Sequence, residues 1–499
     1  MPSGREAGGS MTKPVPFLVG GERVQGSAGS FDSVNPATGT VNYAVSAAGA
    51  SDVERCVSIA REASRTPSWK GLHPHERAQI LARIADGIRA RSEGLAAIQM
   101  RENGKVMAEC RAQVASAAAT FRYYASVCET LGSEVTPARG DYLSLTVYEP
   151  MGVVAAITPW NSPLTMEAQK IAPAIAAGNA VIVKPSEVTP TAAIEVAAIA
   201  LEAGLPPGIL NVITGTGRDT GVPLVRHPGV RMVSFTGGTE TGRAIGTIAA
   251  ERLIPVALEL GGKSPNIVFA DADLEAAVDG VVGGIFEGSG QSCVAGSRLF
   301  VQRTALDAVL ARLKDHAEAL RVGVPDAAGV RMGPLASFPH REKVEAYVAS
   351  ARAEGGEILV GGGRPDDTAL AGGAFYRPTV ITGLTNAARA CREEIFGPVL
   401  CVLPFDDEDD LVAQANDSSY GLACGIWTSD YRRALRVAGA IEAGTVWINT
   451  YKQLSIATPF GGFKDSGIGR EKGVSGMRLY QQSKSIYLGL DERVMGAGR

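Results

Sequence analysis

Two hydrophobic periodicities run through this chain and change places along it. Between residues 51 and 130 apolar positions recur at helical spacing. Ile80, Leu81, Ile84 and Ile88 fall on one face of HERAQILARIADGIRAR. This stretch predicts a helical layer covering a sheet. Residues 142–148 alternate instead: Leu143, Leu145 and Val147 share one face, and Tyr142, Ser144, Thr146 and Tyr148 the other. That is strand spacing. Pro137 and Gly140 bound the segment before it and Pro150 after it. The tail SKSIYLGL (483–490) is a second isolated strand candidate. The two strands can pair with each other or with a partner subunit.

From residue 152 to 262 short apolar runs alternate with helical ones. GVVAAIT, AVIVKPS, ILNVITG, RMVSFTG and PVALELGG read as strands. MEAQKIAPAIAAG, ending at Gly178, and TPTAAIEVAAIALEAG, with Pro190 early and Gly204 at its end, read as helices. Continuous apolar strands separated by helices predict a parallel sheet covered on both faces. Such sheets bind ligands at the carboxyl ends of their strands. Residues 263–470 repeat the style. NIVFA, SRLFVQ, TVITGL, VLCVLPF, CGIWTS and TVWINT are strand candidates; KVEAYVASARAEG and YRRALRVAGAIEAG are helix candidates. The fold class is α/β, with a second such domain following the first.

Composition narrows the picture. A chain of 499 residues can hold two or three domains. A hydrophobic share of 45%, a charged share of 20% and a net charge of −4 favour neither nucleic acid nor an anionic membrane as partner. No apolar run approaches the ~20 residues of a membrane span. The start, MPSGREAGGSMTKP, lacks the apolar core of a signal peptide and reads as a loose extension over residues 1–14. Seven cysteines without a CxxC pair fit a reducing cytoplasm. Of five histidines only His73 and His75 are close together, and no cysteine lies near them, so no metal site is expected.

One of these cysteines has an unusual setting. Cys293 ends the run Phe286-Glu287-Gly288-Ser289-Gly290-Gln291-Ser292-Cys293, where small neighbours let a ligand approach. Upstream, Glu259 sits between an apolar strand and two glycines, where a carboxylate can be desolvated and still move. The pair suggests a nucleophile and a general base at a boundary between two domains. Taken alone, Cys293 reads as a small buried hydrophobe. The other six cysteines lack such a frame and read as core or incidental positions. Two glycine clusters, Gly215–Gly221 and Phe235–Gly242, follow strands and let backbone N–H groups approach a phosphate. Tight turns alone would also explain them. Lys184-Pro185-Ser186-Glu187 ends a buried strand where a nucleotide ribose would lie. Glu187 can accept from ribose hydroxyls and repel a 2′-phosphate, favouring NAD over NADP; an ordinary exposed glutamate is the other reading.

The motifs converge in their order. TPWNSP (158–163), KPSE (184–187), FTGGTETG (235–242), ELGGKS (259–264), GQSC (290–293), EEIFGPV (393–399) and PFGGFKDSG (459–467) resemble the aldehyde dehydrogenase superfamily from about residue 16 to 488. The resemblance implies a Rossmann-like cofactor domain (15–131 and 151–261), a catalytic α/β domain (262–470), and small oligomerisation strands (132–150 and 477–490). It implies a homodimer or homotetramer. It makes Cys293 the nucleophile, Glu259 the base, and Asn161 an oxyanion donor beside the Cys293 N–H. Lys184 and Glu187 would hold the adenosine ribose. Thr158, Trp160, Gly217, Gly221, Gly237, Gly238 and Thr241 would line the cofactor, with Ile157, Pro159, Ser186, Phe235 and Leu260 beside them. Glu394 and Phe396 would position the nicotinamide end, with Lys343 near it. Two departures stand out: Gly238 replaces a common Ser, and Ser162 replaces a common Phe.

The implied reaction is oxidation of an aldehyde to an acid, with NAD or NADP as acceptor, through a Cys293 thioester that Glu259 helps water to hydrolyse. A coenzyme A-acylating enzyme would need no such base; a catalytically silent binding protein would need none of the set. By position, Ser162, Met166, Gln169, Ser292, Val294, Lys452, Leu454 and Phe460 would line the substrate tunnel. Lys452 could attract a distal carboxylate or simply be solvated at the tunnel mouth. The substrate implied is a small-molecule aldehyde.

Overall fold

The computed structural model describes residues 13–490, so residues 1–12 of the expected extension lie outside the described residues. Strands Val153–Ile157, Ala180–Lys184, Leu210–Val212, Met232–Thr236 and Val256–Glu259 form the parallel centre of an eight-stranded sheet. Their spatial order is third, second, first, fourth, fifth. This is the Rossmann order, and its direction reverses between Val153–Ile157 and Met232–Thr236. The carboxyl ends open a crevice at that reversal.

The apolar runs explain the layers. Val153, Val154, Ala155, Ala156, Val181, Ile182 and Val183 are at most 2% exposed, because helices cover both faces. Helix Pro163–Ala176 packs on the sheet, and Met107–Thr130 and Pro74–Ala90 stack outside it. Ile80, Leu81, Ile84 and Ile88 all point into that layer. Each such side chain contributes about 1.5–3 kcal/mol relative to an exposed one. Gly178 and Gly204 leave their helices with φ of 93° and 90°, a backbone conformation that stops a helix cheaply only with glycine.

A second sheet has the order Glu357–Val360, Thr379–Thr382, Val399–Phe405, Arg298–Gln302, Pro265–Val268, Ala423–Trp427, Thr445–Ile448. Only its first pair is antiparallel. The chain then returns to the first sheet. Gly467–Ile468 pairs antiparallel with Leu258 and Glu259, so the later part of the chain clamps the strand that carries Glu259.

The two isolated strands pair with each other. Gln481–Gly489 runs antiparallel to Tyr142–Pro150, from Gln481 opposite Pro150 to Gly489 opposite Tyr142, and Glu134–Thr136 joins on the other side. This three-stranded sheet leaves Val135, Ile486, Tyr487 and Leu488 exposed. Among the described residues no helix is long and apolar enough to cross a membrane.

Candidate active site

Glu259 is fixed from both sides. Thr236 is its parallel neighbour, Gly467 its antiparallel one, and the Gly237 N–H donates to its carbonyl at 3.0 Å. The side chain is 4% exposed, and one carboxyl oxygen has no hydrogen-bond partner among the described residues. A Cβ at Gly461 would lie 2.8 Å from the other oxygen, so only glycine leaves it room there. Burial pushes the Glu259 carboxyl well above the usual carboxylate range. The charge of Glu471 adds to that shift, while Lys170, Arg470 and Lys472 oppose it. Glu471 is itself held by the Lys170 ammonium at 2.5 Å and by Ser234 at 3.2 Å.

The loop before Cys293 is held just as closely. Helix Leu274–Phe286 ends in a turn whose Gly288, Ser289 and Gly290 have φ of 65°, 59° and 70°. Ser289 accepts this left-handed state, at a cost of about 1–2 kcal/mol, while its hydroxyl donates to the Gly333 carbonyl at 2.8 Å. A Cβ at Gly290 would meet the Gly397 carbonyl oxygen at 2.1 Å. The Gln291 side-chain oxygen accepts from the Ala336 N–H at 2.8 Å. The Gln291 carbonyl accepts from the Asn161 amide at 3.0 Å, which docks that amide beside the cysteine loop.

Cys293 is the one half-buried cysteine; the other six are buried. Its thiol sits on the cavity floor, and burial pushes it up to about 12. The charges of Glu394 and Glu259 add to the shift, and Lys472 and the Cys293 N–H oppose it. The resting thiol is therefore protonated at neutral pH.

A cavity of about 520 Å³ joins these groups. Its lining includes Pro159, Trp160, Gly237, Gly238, Leu260, Lys343, Glu394 and Phe396, together with Ser162, Met166, Gln169, Leu454 and Phe460. Asn161, Glu259, Ser292, Cys293 and Val294 line the same space. Phe396 has φ 59° and meets the Trp160 ring edge-on at 5.3 Å. Its carbonyl accepts from His340 at 2.6 Å. Burial holds His340 down to about 4, so the ring is neutral. Glu394 accepts from the Gly262 N–H at 3.0 Å.

The remaining residues lie along the strand ends outside this cavity. Ile157 and Lys184 are neighbours across two parallel strands, with Thr158 following, and Phe235 and Thr241 flank the second glycine turn. Lys184 donates to Glu187 at 3.2 Å, and the Gly217 N–H donates to Glu187 at 3.1 Å. Gly221 ends the turn that begins at Gly217. The Ser186 hydroxyl accepts from the Val188 N–H. A dinucleotide fits this groove. Nothing lies within 4 Å of a Cβ at Gly217 or Gly238, so backbone there is open to a phosphate. The Thr158 and Thr236 hydroxyls are buried without partners among the described residues.

The model of the aldehyde dehydrogenase family matches residues 24–486. The chain belongs to that family. It is thus an oxidoreductase that acts on aldehydes. Its fold is similar to betaine aldehyde dehydrogenase of Staphylococcus aureus in complex with NAD+, at 40% identity and TM-score 0.93 over 95% of each chain. It is also similar to the NAD+ complex of an aldehyde dehydrogenase of Bacillus cereus, at 38% identity and TM-score 0.94 over 96% of this chain and 98% of that one.

One tunnel assignment is corrected. Lys452 does not line the cavity: its ammonium turns away and donates to the Gly283 carbonyl at 3.0 Å. Burial lowers it to about 8. Sequence reasoning missed several wall residues of this family member. Ala112, Gln113 and Ser116 come from helix Met107–Thr130, where the (i, i+4) pair 112/116 was a usable signal. Ile456, Glu471 and Lys472 come from the returning C-terminal segment, which carried no periodic signal.

Proposed function

We propose that this chain oxidises an aldehyde to a carboxylic acid through a thioester on Cys293, with NAD as the favoured cofactor. The observation that carries the reading is a single cavity shared by Cys293, Glu259 and Asn161, which come from three separate segments. NAD, when bound, supplies the hydride acceptor. Lys184 and Glu187 would hold its adenosine ribose, Gly217 and Gly238 its phosphates, and Glu394 and Phe396 its nicotinamide end.

The chain's own residues account for the other steps. Cys293 gives its proton to solvent as its sulfur adds to the carbonyl carbon. Negative charge then develops on the former carbonyl oxygen, and the Asn161 amide and the Cys293 N–H are the available donors. One such donor lowers a barrier by about 3–4 kcal/mol. Loss of hydride from that carbon to bound NAD would leave the thioester. For hydrolysis, ionised Glu259 takes a proton from water. The hydroxide adds to the thioester carbon, the C–S bond breaks, and the acid departs from a regenerated Cys293. Because Glu259 must be ionised, this step accelerates as pH rises through its elevated pKa. A base in this place favours water over coenzyme A as the acyl acceptor.

NADH formation from NAD and a panel of aldehydes tests the reading. Cys293→Ala should abolish it while NAD binding persists; turnover retained in that variant would defeat the nucleophile assignment. We further propose that the exposed three-stranded sheet joins copies of the chain into a dimer or tetramer. Light scattering should then find Tyr487→Lys smaller than the wild type; a wild-type monomer would refute this. Seven free thiols suit a reducing cytoplasm. Recovery of the native protein from the secreted fraction would contradict that location.

A further inference from the structure

Lys472 is a buried cation without a partner. It is 6% exposed and lines the cavity beside Cys293 and Glu259. Its backbone has φ 60°, unusual for lysine, and its ammonium lies 5.0 Å from the centre of the Phe460 ring. Among the described residues the ammonium makes no hydrogen bond and no ion pair. The adjacent Glu471 is already engaged by Lys170 and Ser234. Burial lowers Lys472, and the charges of Glu471, Cys293 and Glu259 resist that shift. An ammonium on a largely buried side chain, open only to the cavity, gains from a ligand that pairs with it.

A second polar group faces the same space unused. Gln169 is 5% exposed, lines the cavity, and among the described residues its amide has no hydrogen-bond partner. Gln113, by contrast, is committed: it donates to Ser162 at 3.1 Å and accepts from Gln99 at 2.8 Å. Met166, Leu454, Ile456 and Phe460 in the same lining are apolar, and the nearby carboxylates, Glu259 and Glu471, make no ion pair with Lys472 among the described residues.

We propose that Lys472 and Gln169 form a recognition subsite for one carboxylate, so that the preferred substrate is an aldehyde carrying a carboxylate at its far end. This rests on the reading that Cys293 attacks the aldehyde carbon. An ammonium and an amide NH₂ match the charge and acceptor capacity of one carboxylate. A phosphate dianion would need a second cation beside Lys472. The other cavity lysine, Lys343, lies 5.8 Å over the Tyr347 ring. A plain alkyl tail would leave the ammonium unpaired.

The test compares an ω-carboxylate aldehyde with its methyl ester, which keeps the shape and removes the charge. In the wild type, kcat/KM for the acid should exceed that for the ester by about 10–100-fold, the worth of a hydrogen bond to a charged group. Lys472→Met should bring that ratio to about one, and Lys472→Arg should keep part of the preference. A wild-type ratio near one overturns the proposal, and this result needs no variant that folds. A ratio preserved in Lys472→Met also overturns it, because Lys472 would then act on the thiol or the base instead. NADH from neither compound would defeat the aldehyde reading itself, and this proposal with it.

Discussion

Cofactor choice is the sharpest consequence of the strand-end geometry. Glu187 holds two contacts, to Lys184 at 3.2 Å and to the Gly217 N–H at 3.1 Å, and its side chain is 41% exposed. Glu187→Gln keeps an oxygen for the Gly217 N–H and removes the charge. NADP would bring about −1.5 to −2 charges on its 2′-phosphate to this place. A unit charge pair at about 4 Å is worth about 1 kcal/mol in bulk water and about 4 kcal/mol near a protein surface. The exposure of Glu187 places its repulsion toward the lower figure, about 1–2 kcal/mol. Removing it should raise kcat/KM for NADP about 5- to 30-fold. The freed Lys184 ammonium adds to the gain. Initial rates with NAD and NADP, at one aldehyde concentration and low salt, measure the change; low salt limits screening. If NADP efficiency stays level while NAD efficiency is retained, Glu187 does not face the ribose.

Two further outcomes follow from buried groups. Glu167 is fully buried with neither carboxyl oxygen paired among the described residues, and burial with the nearby Glu102 charge pushes it well above the usual range. Burial raises Glu102 itself to about 7. A raised folded pKa means stability is full below the unfolded value of about 4.3 and is lost as pH rises through the folded value. Melting temperature should therefore fall less between about pH 5 and 8 in Glu167→Gln than in the wild type; equal falls would show that Glu167 is paired. Gly290→Ala places a methyl 2.1 Å from the Gly397 oxygen at φ 70°. Left-handed strain of about 1–2 kcal/mol and overpacking of about 1–3 kcal/mol should move the Cys293 loop. At least a tenfold loss of kcat/KM in a folded variant is expected, and an unchanged value would show that the loop absorbs the methyl.

Much of this arrangement was legible because buried parallel strands leave a plain mark. Runs such as AVIVK and MVSFT are mostly apolar and buried throughout, since helices cover both faces. Glycines mark the ends of the helices between them, as Gly178 and Gly204 do. The cysteine loop was legible through its own small residues. Other features depend on long-range pairing and leave no local trace. The two-residue strand Gly467–Ile468 forms only because Leu258 and Glu259 offer an edge. The choice between two lysines shows the same limit. Lys452 and Lys472 have similar backbone, with φ of 56° and 60°. One meets the Gly283 carbonyl and the other faces the cavity, and no periodicity in the chain separates them.

The central claim is that Cys293 carries the acyl group and Glu259 directs water to release it. The direct measurement is Glu259→Gln mixed with NAD and an aldehyde, followed by NADH absorbance and intact-protein mass. The account predicts a burst of at most one NADH per active site, then a stall, with the acyl mass on the peptide containing Cys293. Steady wild-type turnover, or a burst with no adduct on Cys293, would contradict it.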